Sequence, residues 1–112
     1  MVKTITISDN SEIDISESSL KGKNIMPNRI RVDRKYADHF TLFVTTESIE
    51  TGHVVTDYYK PKVTPYDKDG INWLQFDKPN QITIIDTLSI RGELSPCQEA
   101  IFPVIVELQL PV

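Results

Sequence analysis

The sequence predicts an all-β fold, an antiparallel β-sandwich of about seven or eight short strands, immunoglobulin-like or jelly-roll-like. Three observations lead there. Apolar and polar residues alternate with period two along most of the chain, the signature of strands with one face buried. Clusters of Gly, Pro, Asn, Asp and Ser interrupt that alternation at intervals of about eight to fifteen residues. No stretch of about ten residues carries the apolar spacing of an amphipathic helix. A chain of 112 residues forms one domain, residues 1–112, because its halves would each be too small to bury a core. Of the two sandwich types, strand count and length favour the immunoglobulin-like one. The Cys, Trp, Cys spacing of antibody-type domains is missing.

The first alternating segment places Ile5 and Ile7 opposite Thr4 and Thr6. Asp9-Asn10-Ser11 then supplies turn residues, and Ile13 and Ile15 resume the pattern, so an opening hairpin or a bulged strand is expected. Residues 16–28 are the most polar connection and read as a loop with at most one helical turn around Leu20. Arg29-Ile30-Arg31-Val32-Asp33-Arg34 alternates cleanly, with Ile30 and Val32 inward and the arginine row on the solvent face. Residues 39–46 put Phe40, Leu42 and Val44 on one face and Phe43 on the other, which predicts a central strand. Residues 54–63 form a further strand, and Pro61 assigns it to a sheet margin because proline lacks a ladder donor.

Residues 65–70 read as a turn, 71–76 as a strand holding the sole tryptophan, Trp73, and 77–80 as another turn. Residues 81–91 carry Ile82, Ile84, Leu88 and Ile90 on one parity with Asp86 breaking the set, so a bulge or two short strands are expected. Residues 92–99 read as a loop around Pro96. Phe102, Val104, Val106, Leu108 and Leu110 give the most regular alternation of all.

Charge is uneven. The net charge is −4, yet residues 21–35 hold six bases, Lys21, Lys23, Arg29, Arg31, Arg34 and Lys35, against Asp33 alone. With a pI of 5.1 and the basic residues confined to one stretch, nucleic acid is a poor partner. A basic band on an acidic body instead suits the acidic surface of another protein subunit, identical or different. Arg29, Arg31, Arg34 and Lys35 are therefore the expected partner-binding residues.

The longest nearly apolar run, residues 100–106, is interrupted by Pro103 and falls far short of the roughly 20 residues a membrane-crossing helix needs. The Thr-Ile alternation at the N-terminus lacks the apolar stretch of a secretory signal, so no Sec-dependent export is expected. One cysteine, Cys97, excludes an internal disulfide, and cytoplasmic synthesis follows as an expectation.

No chemical motif holds together. Asp67, Asp69 and Gly70 resemble part of a calcium loop, but Pro65 and Phe76 then occupy ligand positions, so a plain turn is expected. Asp9, Glu12 and Asp14 are assigned no metal, and His39 and His53 form no close pair for zinc. Cys97 has no base beside it in sequence and is read as an ordinary small side chain. No enzyme and no cofactor are therefore expected. The aromatic residues offer the alternative function: Tyr58, Tyr59, Tyr66 and Trp73 fall on two consecutive strands and their turn, where flat rings can stack on sugars. Core packing is the simpler role for Trp73 and Phe76.

The whole chain resembles the small β-sandwich modules of bacteriophage particles, the accessory head proteins and the tail and baseplate components. The resemblance lies in the short start from Met1 to Ile7, the lone cysteine, the threonine-rich and asparagine-containing segments, and the terminal strand Phe102 to Val112. It implies a virion subunit that attaches to other proteins through sheet edges, termini and complementary charge.

Overall fold

A computed structural model of the chain describes residues 2–63, 71–78, 80–94 and 102–110. Nine strands are found among them: β1 (Val2–Ile7), β2 (Ile13–Asp14), β3 (Asn24–Asp33), β4 (Phe40–Glu47), β5 (Val54–Tyr59), β6 (Ile71–Gln75), β7 (Ile82–Thr83), β8 (Thr87–Leu94) and β9 (Val104–Gln109). One sheet runs β1-β9-β3-β6, with β7 also paired to β3, and the other runs β2-β8-β4-β5. Every pairing between named strands is antiparallel.

That order is a jelly roll. β6 pairs with residues 29–33 of β3 and β7 with residues 24–25, so the two lie end to end along one side of β3 and count as one interrupted strand. Eight strands then alternate between two four-stranded sheets in the double Greek-key pattern. The immunoglobulin-like order is set aside, because it keeps the first two strands in one sheet whereas β1 and β2 lie in different sheets. The expected opening hairpin is corrected for the same reason. Ile7 pairs with Val104 and Ile13 with Ile90, so the chain between β1 and β2 crosses from one sheet to the other.

The core fills the space between the sheets. Ile5, Ile7, Ile30, Val32, Val104, Val106 and Leu108 from the first meet Phe40, Leu42, Val44, Leu88, Ile90 and Leu94 from the second. The predicted parities of β4 and β9 hold residue by residue. β3 begins at Asn24, five residues earlier than expected, because a register shift between Pro27 and Arg29 lets a proline sit in a paired strand. The bulge also flips the buried parity, from Ile25 and Pro27 before it to Ile30 and Val32 after it.

Residues 34–39 form a 3-10 helix, whose end residues Arg34 and His39 the sequence pattern assigns to the neighbouring strands. Asp33 caps it, its carboxylate accepting the Lys35 amide at 3.0 Å. The short turn around Leu20 is present at Ser18–Leu20.

Residues 81–91 divide into two strands, as Asp86 suggested. Between them the chain changes sheets, held by Gly22 N–H to the Ile84 carbonyl at 2.7 Å and Ile84 N–H to the Lys23 carbonyl at 2.8 Å. Asp86 accepts the Ile49 amide at 2.8 Å. β8 then continues to Leu94, so Gly92 lies in a strand and not in the expected loop. Glycine is required there because any side chain would meet the buried ring of Phe40. Residues 64–70 and 95–101 lie outside the described residues, and with them the expected turn at 65–70, Tyr66 and Cys97. No helix among the described residues is long and apolar enough to cross a membrane.

Candidate interaction surface

The expected arginine row is split. Arg29 and Arg31 lie exposed on the outer face of β3, while Arg34 and Lys35 belong to the 3-10 helix that follows. Arg29 is engaged within the chain. It stands directly across from Glu107 on β9, and its Nε donates to Glu107 Oε2 at 2.8 Å. Arg31 lies exposed between Trp73 and Ile105 on the flanking strands, and Lys35 is exposed.

The outward aromatic residues are engaged as well. Trp73, expected in the core, sits on the outer face of β6 with 36% of its surface exposed. Its parity is opposite to that of the buried Leu74, which takes the inward place. The Arg29 guanidinium covers it at 4.4 Å from the ring centroid. The same arrangement recurs twice on the other sheet. Arg91 lies 4.6 Å from the Phe43 ring and bonds Glu93 at 2.9 Å. Lys78 lies 4.2 Å from the Tyr58 ring and bonds Asp57 at 3.0 Å. Each cation thus shields a ring and is itself neutralised by a carboxylate. Contacts of this exposed kind are worth about 0.5–1 kcal/mol for the ring and about 0–1 kcal/mol for the ion pair.

Tyr59 is fully enclosed. Its hydroxyl donates to the Asn80 carbonyl at 2.9 Å, and its ring meets Phe76 edge-on at 6.0 Å. Burial, with the nearby Asp57 charge adding to it, pushes its phenol up to about 12. Phe76 is buried as expected.

The acidic residues near the start of the chain hold turns. Asp9 accepts the Ser11 amide and Asp14 the Ser16 amide, both at 2.8 Å. Hydrogen bonds from these serines keep both carboxyls below their usual range. Among the described residues, no three His, Cys, Asp or Glu side chains converge as a metal site. His39 and His53 are both exposed.

Family models, curated proteins and solved structures give no match to this chain.

A further surface escaped the sequence reading. The β4–β5 hairpin is closed by Ser48 N–H to the His53 carbonyl and Gly52 N–H to the Ser48 carbonyl, both at 2.8 Å. Gly52 adopts φ 71° in the turn, a conformation costly for other residues. Ile49, Val54, Val55 and Tyr58 are 71%, 50%, 39% and 56% exposed. Val54 and Val55 are consecutive residues on opposite faces of a strand, and neither is buried.

Proposed function

We propose that the chain is a non-enzymatic structural subunit of a larger protein assembly, and that this assembly is a bacteriophage particle, as an accessory capsid, tail or baseplate protein. The observation that carries the assembly reading is the exposed apolar side chains of the β4–β5 hairpin. Several large apolar side chains left exposed on one element mark a place where another protein can sit. Folding leaves Ile49, Val54 and Val55 unused on both faces of this hairpin, and a partner would cover them. Arg31 and Lys35 add exposed positive charge to a chain of net charge −4, which suits complementary contact between subunits. The jelly roll is the architecture of many viral capsid domains, and this supports the virion reading by analogy of fold alone.

Light scattering of the purified chain over a wide concentration range tests the assembly reading. A mass rising to a multiple of 12.8 kDa is expected. A single-chain mass at every concentration would overturn it.

Carbohydrate binding is the second reading, favoured by a groove of about 270 Å³ lined in part by Asn28, Arg29 and Gln75, with Arg29 also covering Trp73. A sugar stacking on Trp73 or Tyr58 has to displace an ion-paired cation from the ring, which ranks this reading below assembly. Binding on a glycan array that disappears in Trp73→Ala and Asn28→Ala variants would reverse the ranking.

A further inference from the structure

We infer that the open edge of β5 is the two-fold contact of a homodimer, in which β5 pairs antiparallel with β5 of a second copy about an axis through Val55. The inference rests on the assembly reading and names the surface and the partner. Among the described residues, β5 has β4 as its one strand neighbour. Backbone groups of an extended strand point alternately to its two sides. The His53 carbonyl faces β4, accepting from Ser48, while the Lys60 carbonyl and the Lys62 amide face away, bonded to Asp77 N–H and the Gln75 carbonyl at 2.8 Å each. The even-numbered residues Val54, Thr56 and Tyr58 therefore present their amides and carbonyls to the open edge. Tyr58 N–H is already taken by Asp57 Oδ1 at 2.9 Å. Among the described residues, the Val54 and Thr56 amides are left without a partner.

A two-fold axis at Val55 matches those groups with each other. Val54 of one copy then exchanges both backbone bonds with Thr56 of the other, and the reverse, leaving the Tyr58 cap undisturbed. Val55 meets its own twin at a non-hydrogen-bonded position, where side chains approach closest. Charge favours the same arrangement. The turn end of β5 carries Glu50 and the far end Lys60, each five positions from Val55 in the chain. Antiparallel pairing brings Glu50 of one copy towards Lys60 of the other. Parallel pairing would set like on like.

Other edges are protected by devices natural sheets use against such pairing. β2 is two residues long. The β6–β7 edge is interrupted and joined to the β5 extension by the Pro61–Phe76 bridge. Lys3 on β1 is anchored to Glu17 at 3.1 Å. The one charge within β5, Asp57, is neutralised by Lys78.

Two variants test the contact. Thr56→Pro removes an amide that points away from β4, so the fold tolerates it and the dimer does not. Light scattering should show the wild-type dimer reduced to a monomer, with the circular dichroism spectrum retained. In a C97S chain, Val55→Cys should form a covalent dimer on mild oxidation, because facing residues at such a position lie within disulfide reach. Val54→Cys, facing Thr56, should cross-link far less. A wild-type oligomer that persists in Thr56→Pro, or equal cross-linking by both cysteines, would overturn the edge contact and leave the assembly reading standing. A wild-type chain that stays monomeric at all concentrations would overturn both.

Discussion

The guanidinium of Arg29 lies over the indole of Trp73, 4.4 Å from its centroid, while its Nε bonds Glu107 at 2.8 Å on the opposite flank. One arginine therefore ties three strands of a sheet together on their solvent side. Arg29→Ala is expected to cost about 1 kcal/mol, the sum of an exposed cation–ring contact and a surface ion pair. Trp73 is the sole tryptophan, so its fluorescence reads the change directly. Emission should shift to the red and acrylamide quenching should rise. Glu107→Gln should cost less and leave the indole covered.

Gly92 and Phe40 meet with no room between them. A Cβ on Gly92 would stand 2.8 Å from two ring carbons of Phe40 and 3.3 Å from Cγ2 of Ile7. Both side chains are fully buried, so neither can move aside cheaply. Gly92→Ala is expected to lower stability by about 1–3 kcal/mol, the usual cost of overpacking a core. A second change, Phe40→Leu, should recover part of that loss, and the non-additivity in urea melts measures the contact.

What was legible in the sequence is what parity decides locally. Phe40, Leu42 and Val44, or Val104, Val106 and Leu108, announce their buried face by spacing alone, and the structure buries each of them. Pro61 announced the margin that β5 occupies. What failed needed a distant partner. Asp9-Asn10-Ser11 looks like a hairpin turn because its residues favour turns, yet Ile7 pairs with Val104 far along the chain. Arg29 looked unengaged because Glu107 is 78 positions away. The bulge after Pro27 was hidden because it reverses parity midway, so the two halves of β3 read as a loop and a strand. The 3-10 helix at Arg34–His39 is too short for its spacing to emerge.

Thr46 offers a test of how the chain changes sheets. It is buried, and its hydroxyl oxygen accepts the Ile85 amide at 2.8 Å on the crossing between β7 and β8. Thr46→Val keeps the shape and strands a backbone donor, so a loss of about 1–3 kcal/mol is expected. Thr46→Ser keeps the acceptor and gives up one methyl, at about 0.8 kcal/mol. The urea midpoint should fall further for Val than for Ser, with the slope unchanged in both.

Tyr59 ties part of the fold's stability to alkaline pH. Its phenol is raised from 10.0 to about 12, chiefly by burial and further by the charge of Asp57. Between those two values the folded chain keeps a proton that the unfolded chain has released. The stabilisation is therefore whole below pH 10.0 and drains away as pH climbs towards about 12, since stability falls wherever the native state binds more protons. Urea midpoints measured upward from pH 10 should decline for the wild type. Tyr59→Phe cannot ionise, so its midpoints should decline less steeply, although it starts lower for want of the bond to the Asn80 carbonyl. Parallel slopes for the two chains would mean that Tyr59 ionises as readily in the fold as out of it, and the difference in tyrosinate absorbance between them would then centre near 10.0 instead of about 12.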